Sequence, residues 1–299
     1  MIINFDQGIF SMTLEGCAWT IGSLREECEK KARILYEENP NIMVAVSGGL
    51  DCQVVLHSFF SQGIPVKAAF LSLNGYNDFE KSNVLKLKEK YNLDLTIINI
   101  DPDELKDELI EEYKQNGIPP FQLMHAGFLE QVPEDHTFIQ GLDGPEFYRK
   151  NDKWYLLETA NSFGSSRTRA LQQVKRTGKI VNWEKTAEIY YNILKDDVIT
   201  AYHNSYDYIV NNGLCYKNGA EIKVVNHWDL YMKPLVYAKY WGKDLEYFGK
   251  YQGPENISWI MDVKWHRYDL NMIFIPVDEA MKVFSTPGAK KTFIQRSTS

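Results

Sequence analysis

The residues best suited to chemistry are Ser47, Gly48, Gly49 and Asp51, which directly follow the apolar run Ile42 to Val46. Two successive glycines allow a sharp turn and let a ligand approach the backbone closely. A helix that begins at such a turn has unpaired N–H groups and a partial positive charge, which favour phosphate. A carboxylate repels phosphate directly, so Asp51 indicates a Mg²⁺ ion between the two. The pattern predicts a site for an oligophosphate and Mg²⁺.

Such a loop needs a buried strand before it and a helix after it. The apolar run predicts a strand covered on both faces. From Asp51 onward, Val54, Val55 and Phe59 follow helical spacing. Further strands are predicted over 66–73, over 93–100 and from Thr137, and helices over 23–38, 78–91 and 102–114. This alternation predicts an α/β fold, a parallel sheet sandwiched by helices.

The stretch Ser47-Gly48-Gly49-Leu50-Asp51 resembles the S-G-G-x-D-S signature of the PP-loop ATP pyrophosphatases, the adenine nucleotide alpha-hydrolase-like superfamily. Leu50 is most similar to the asparagine-synthetase-type branch. The resemblance implies cleavage of ATP to AMP and pyrophosphate, a PP-loop or HUP-like sheet, and ATP and Mg²⁺ as cofactors. It implies that Asp51 binds Mg²⁺ and acts in catalysis, and that ATP contacts the whole loop from Ser47 to Cys52. Cys52 departs from the family, because it replaces the final Ser.

A second loop of interest is Thr137-Phe138-Ile139-Gln140-Gly141-Leu142-Asp143-Gly144-Pro145-Glu146. It resembles the G-[DE]-G-x-D-E nucleotide loop of asparagine-synthetase-like enzymes. The resemblance implies that Gly141 contacts the nucleotide, that Asp143 and Glu146 either bind Mg²⁺ or orient the attacking group, and that Asp143 acts in catalysis. The match is offset, because Leu142 occupies a position where an acid is expected. The alternative is a surface turn, for which Asp-Gly is a common dipeptide.

The end of the second predicted strand, from Leu71 to Asn77, is a candidate adenine contact. Ligands of parallel α/β sheets bind beyond the carboxyl ends of the strands. PP-loop enzymes resemble this arrangement, which makes Leu71 a candidate nucleotide-binding residue. Alternatively, Asn77 and Asp78 simply cap the following helix.

Several basic residues are candidates for contact with phosphate. Lys233 lies in Tyr231-Met232-Lys233-Pro234-Leu235, which faintly resembles a proline-containing turn late in asparagine synthetases, and it is the candidate catalytic cation. Lys290 and Lys291 are its rivals. The stretch 161–179 also carries Arg167, Arg169, Lys175, Arg176 and Lys179, for which a solvated basic helix is the favoured interpretation. Residues 183–211 are predicted to form one long aromatic helix that either packs in the core or lines a substrate pocket.

Length and composition set broader limits. The chain has 299 residues, and we predict a nucleotide-binding α/β domain over 1–160 and a mainly helical substrate-side region over 161–299. The net charge of −7 and the absence of long basic runs argue against nucleic acid or membrane as a partner. Four cysteines without a C-x-x-C pair favour neither zinc nor a disulfide framework. We expect a cytoplasmic protein. Only about forty residues precede the loop and Met1 is followed by Ile2, so we expect no glutaminase domain.

Three functions are consistent with these residues. The first is a synthetase that adenylates a small-molecule carboxylate or carbonyl for attack by ammonia or an amine. The second is a PP-loop sulfurtransferase or base-modifying enzyme in which Cys52 carries sulfur, since a thiol at a helix N-terminus is expected to have a lowered pKa. The third is a nucleotide-binding module without catalysis.

Overall fold

The computed structural model describes residues 2–6, 9–19, 21–141, 146–150, 153–159, 170–204, 213–217, 220–224, 232–248, 256–262 and 272–296. At its centre lie five parallel strands, namely β3 (Ile42–Ala45), β4 (Lys67–Ser72), β5 (Asp94–Asn99), β6 (Thr137–Gln140) and β9 (Ile180–Asn182). Their order across the sheet is β5-β4-β3-β6-β9. The predicted α/β class is therefore confirmed.

Strand β3 occupies the middle of this sheet and is covered on both faces. Ile42 and Val44 belong to one hydrophobic cluster, whereas Met43 belongs to the cluster on the opposite face. Successive side chains of a strand point to opposite faces, so a continuous apolar run is what a central parallel strand requires. The position of this strand fixes where the following loop, Val46–Gly49, leaves the sheet.

Five helices accompany the first four parallel strands, namely α1 (Leu24–Glu38), α2 (Leu50–Phe60), α3 (Asp78–Tyr91), α4 (Lys106–Asn116) and α5 (Pro120–Glu130). Helix α1 begins at the predicted capping box, in which Ser23 and Glu26 bond each other's backbone N–H. Helix α4 begins four residues later than predicted, and α5 was not predicted from the sequence.

The order of the strands creates a topological switch point beside β3. The chain runs from β3 to β4 and β5 on one side, and then returns to place β6 on the other side of β3. In open parallel sheets, the crevice for a ligand lies at the carboxyl ends of the strands where the order reverses. The loops after β3 and β6 leave the sheet at this point.

The chain also forms antiparallel sheets. Strands β1 (Ile2–Asp6), β2 (Ile9–Glu15) and β13 (Lys290–Arg296) form one of them. Strands β7 (Glu146–Lys150), β8 (Lys153–Thr159) and β12 (Met272–Pro276) form another, and β10 (Gly213–Lys217) pairs with β11 (Ala220–Val224). Three strands from beyond residue 160 thus pair with strands from before it, namely β9, β12 and β13. The division into two domains at that residue stays a prediction.

The later helices are α6 (Ala187–Lys195), α7 (Asp197–Asn204), α8 (Lys233–Trp241), α9 (Ser258–Asp262) and α10 (Val277–Phe284). The prediction of one long helix over 183–211 is wrong within the described residues. Asp196 has an extended backbone, with φ −62° and ψ 139°, and it separates α6 from α7. Its buried carboxylate accepts hydrogen bonds from Lys239 and Tyr240 of α8, so a tertiary contact accompanies the break. In the described part of the chain, no helix is both long and apolar enough to cross a membrane.

Candidate functional site

The loop between β3 and α2 has the conformation that its glycines make possible. Gly48 has φ +83°, a left-handed conformation that side chains rarely adopt. A Cβ at this position would lie 2.7 Å from Cβ of Asn83 on α3, so the loop also packs closely against a neighbouring helix. Gly49 occupies the N-cap position of α2 and makes no side-chain cap. No side chain at Gly49 therefore caps the first N–H groups of α2, which is compatible with an anion site.

Asp51 lies in the first turn of α2 and meets two residues of α8. Its Oδ2 lies 2.8 Å from Nζ of Lys233, and its Oδ1 accepts a hydrogen bond from the Tyr237 hydroxyl at 3.1 Å. The side chains of Lys233 and Asp51 are only 13% and 17% exposed, so solvent screens this ion pair less than it would a surface pair. The structure thus brings the predicted catalytic cation to the predicted loop carboxylate.

Helix α8 can present both residues because they are four positions apart, on the same face of the helix. Pro234 lies in its first turn, where the missing N–H costs nothing. Tyr237 is buried, and its ring lies edge-on to Trp241 at 5.4 Å. Burial raises the pKa of Tyr237 well above its ordinary value, and the nearby charges of Asp51 and Glu184 raise it further. The hydroxyl therefore stays protonated and acts as a donor to Asp51.

The loop after β6 packs directly onto the first turn of α2. A Cβ on Gly141 would lie 2.8 Å from Cβ of Asp51 and 3.0 Å from the backbone nitrogen of Cys52. Only a glycine allows the two loops to approach this closely. Asp143 lies outside the described residues, and Glu146 begins strand β7. The predicted roles of Gly141, Asp143 and Glu146 stay predictions.

The candidate adenine loop after β4 is organised by Asn77. Its side chain accepts a hydrogen bond from the backbone N–H of Leu73 and donates one to the carbonyl of Leu71, each at 2.8 Å. Asn77 does occupy the N-cap position of α3, but its side chain makes no cap hydrogen bond. The side chain of Leu71 is buried, so a contact from this residue to a nucleotide would involve its backbone.

Gln53 fastens a later segment of the chain to the loop. Its buried amide donates to the carbonyl oxygens of Gly48 at 3.1 Å and Glu246 at 2.7 Å, and accepts from the N–H of Glu246 at 2.8 Å. Lys90 of α3 donates to the carbonyl of Asp244 in the same segment. Residues 244–246 therefore lie across α2 and α3 and hold the loop in place.

Cys52 differs from what the sequence predicted. Burial raises the pKa of its thiol to about 11, against the opposing effect of backbone hydrogen bonds from Ser47 and Gly48. The Sγ atom donates to the carbonyl of Gly49 at 3.1 Å. The expected lowering of this pKa is wrong, because loss of solvent outweighs the helix N-terminus. Cys52 is thus a buried, protonated thiol.

The other basic candidates bind elsewhere. Arg176 donates to the carbonyls of Pro133 and His136, before β6 and thus at the amino edge of the sheet. Lys179 pairs with Glu38, Lys290 with Glu15 and Lys291 with Glu279. Arg167 and Arg169 lie outside the described residues. Lys233, by contrast, pairs with Asp51.

The donor chemistry of the loop is compatible with Mg²⁺. Among the described residues, no group of three His, Cys, Asp or Glu side chains is arranged to hold a metal ion. Mg²⁺ is nevertheless usually bound through one or two carboxylates together with substrate phosphates and water. Asp51 supplies one such carboxylate beside the candidate phosphate loop, and this fits that mode of binding.

Sequence reasoning missed three residues of the site: Tyr237, Gln53 and Asn83. The spacing of Lys233 and Tyr237 was the one available signal, since residues four apart share a helix face. Trp183 and Tyr190 from the predicted aromatic helix are buried in the core, as the simpler interpretation expected.

Comparisons with known proteins give distant similarities. No protein-family model matches the sequence, and no curated protein matches it. Among solved structures, NMN synthetase from Francisella tularensis aligns over 82% of this chain and 96% of its own, with 14% identity and a TM-score of 0.38. The NH3-dependent NAD synthetase from Campylobacter jejuni subsp. jejuni NCTC 11168, in complex with the nitrate ion, aligns over 40% of this chain with 15% identity and a TM-score of 0.32. The match spans 56% of that enzyme's length. Both similarities are too distant to bear on the reaction.

Proposed function

We propose that this protein is an ATP-dependent synthetase of the PP-loop type, which cleaves ATP to AMP and pyrophosphate and adenylates a small carboxylate or carbonyl substrate. The observation that carries the proposal is the position of Asp51. It lies in the first turn of a helix at the switch point of the sheet, next to Gly48 with its left-handed backbone, and is paired with Lys233.

The residues of the loop have distinct parts in this reaction. The β- and γ-phosphates would bind on Ser47, Gly48 and Gly49, with the Ser47 hydroxyl and the Gly49 N–H as donors. Lys233 would offset the negative charge that builds on the departing pyrophosphate, and such stabilisation is usually a large part of catalysis. Asp51 and Asp143 would hold Mg²⁺. This ion would supply further positive charge at the pyrophosphate.

The acceptor completes the reaction in two steps. Its carboxylate or carbonyl oxygen attacks the α-phosphorus in line, forms a bond to the adenylyl group and releases pyrophosphate. Ammonia or an amine then attacks the activated carbon and releases AMP. Neither step needs a covalent bond to the protein, so the protein contributes mainly by positioning the reactants. The similarity of Leu50 and of the Lys233-Pro234 turn to asparagine synthetases favours an amide-forming reaction of that kind.

The test is pyrophosphate release from ATP and Mg²⁺ in the presence of pooled amino acids and other carboxylates, with Asp51→Ala as control. We expect AMP and pyrophosphate with one pool only, and neither in the control. Tight binding of ATP with no AMP from any pool would instead favour a nucleotide-binding module.

A sulfur-carrying role for Cys52 is not supported by its surroundings. The thiol is buried, its pKa is raised, and its Sγ already donates to Gly49. We expect Cys52→Ser to keep or gain pyrophosphate release, because a hydroxyl is the better phosphate donor. Complete loss of activity in a folded Cys52→Ser variant would restore the sulfur-carrier hypothesis.

A further inference from the structure

Tyr237 and Lys233 contact different oxygens of the Asp51 carboxylate. The Tyr237 hydroxyl donates to Oδ1 at 3.1 Å, and Nζ of Lys233 lies 2.8 Å from Oδ2. A carboxylate held at only one oxygen can rotate about its Cβ–Cγ bond. A carboxylate held at both oxygens by two groups of one helix has a fixed plane.

Tyr237 is itself held firmly. Its side chain is 2% exposed and its ring packs edge-on against Trp241. Helix α8 is anchored at its other end by the ion pair of Lys239 with the buried Asp196 at 3.0 Å, a contact that does not involve the Tyr240 hydroxyl. A donor on a rigid element can define the direction of its acceptor more closely than a donor on a mobile loop.

We infer that Tyr237 is a positioning residue, which orients the Asp51 carboxylate towards a divalent cation carried in with the nucleotide. This inference rests on the proposed function, because it assumes that Mg²⁺ and ATP bind at this loop. Groups that hydrogen-bond a ligating carboxylate commonly govern metal affinity although they do not touch the metal.

The chain provides a matched pair of variants for the test. Tyr237→Phe removes the hydroxyl that binds Asp51 and keeps the ring in the core. Tyr240→Phe removes a hydroxyl that binds a different buried carboxylate, Asp196, on the same helix. A merely structural loss would affect both variants alike, whereas a positioning role concerns Tyr237 alone.

The experiment titrates Mg²⁺ at fixed ATP and follows nucleotide binding by calorimetry, with pyrophosphate release as a second readout. We expect Tyr237→Phe to raise the Mg²⁺ concentration at the midpoint by about 10- to 100-fold, with ATP binding in EDTA unchanged. We expect Tyr240→Phe to leave the midpoint within about twofold of the wild type, since its hydroxyl is bonded away from the loop.

The inference is overturned if both variants have the wild-type midpoint, or if both shift it equally. If the wild-type protein binds ATP with Mg²⁺ but forms no AMP, the proposed reaction fails and the binding titration still decides the inference. If the wild-type protein binds no ATP at all, both fail. Thermal unfolding of the two variants shows whether a shift reflects general destabilisation.

Discussion

The carboxylate of Asp51 and the ammonium of Lys233 lie 2.8 Å apart although 182 positions separate the two residues in the chain. Asp51 follows the central strand of the sheet, and Lys233 opens a helix from the far half of the sequence. The contact joins the glycine loop to the C-terminal half of the protein at the point where phosphate chemistry is proposed.

Replacing Lys233 tests whether this cation acts in the reaction. We expect Lys233→Gln to lower the rate of pyrophosphate release by about 10²- to 10³-fold, the usual effect of removing one group that stabilises developing charge. Lys243→Gln is the control, since Lys243 is an exposed lysine just beyond the same helix. Steady-state rates of both variants at saturating ATP provide the measurement. Equal rates in the two variants would remove Lys233 from the mechanism.

The sequence predicted the elements around Asp51 but not the partner of its carboxylate. Strand β3 and the start of α2 follow from a local apolar run and two glycines, and both were found where expected. Lys233 was one of several candidate lysines, because pairing across such a distance depends on how α8 docks. Tyr237 carried no local signal of its own, and its role follows from its position one turn after Lys233.

The same contrast applies to the later helices. The aromatic spacing over 183–211 predicted a continuous helix, yet the chain breaks at Asp196, whose carboxylate binds Lys239 and Tyr240. The spacing of apolar residues indicates which of them face the core. It does not indicate a polar contact with a residue of another element. The raised pKa of Cys52 likewise could not be predicted from the sequence, because it depends on burial by neighbouring elements.

Gly48 provides a test of the loop's geometry. Gly48→Ala introduces a side chain at φ +83° and a Cβ only 2.7 Å from Cβ of Asn83. We expect about 1–2 kcal/mol of destabilisation from the backbone conformation and about 1–3 kcal/mol more from the clash. Urea unfolding measures the sum.

Gly63→Ala is the matched control for Gly48→Ala. Gly63 has a similar φ of +69°, but a Cβ there would meet nothing within 4 Å. We expect this variant to lose about 1–2 kcal/mol and to bind ATP normally. If the two variants were equally stable and bound ATP equally well, the close packing of Gly48 on α3 would have no energetic consequence.

The buried thiol of Cys28 should make the stability of the protein depend on pH. Burial raises the pKa of this thiol from its ordinary value of 9.0 to about 12. Between these values the native state keeps a proton that the unfolded chain has lost, so stability is full below pH 9 and falls as the pH rises. We expect the free energy of unfolding of the wild type to fall faster than that of Cys28→Ala, by about 1.4 kcal/mol for each pH unit.

The measurement for Cys28 is urea unfolding of the two proteins between pH 8 and pH 11. Loss of the buried side chain lowers the stability of Cys28→Ala at every pH, so the slopes and not the absolute values are compared. Parallel slopes would mean that the Cys28 thiol ionises as readily in the folded protein as in the unfolded chain.

In the proposed reaction, the acceptor attacks the α-phosphorus of ATP. The most direct test uses the pool of acceptors that supports turnover. The carboxylate or carbonyl groups of these acceptors are labelled with heavy oxygen, and the products are analysed by mass spectrometry. If the attack is at the α-phosphorus, one heavy oxygen appears in AMP, none appears in pyrophosphate, and Asp51→Asn forms neither product. Formation of ADP and phosphate, or heavy oxygen in the released phosphate or pyrophosphate, would contradict it.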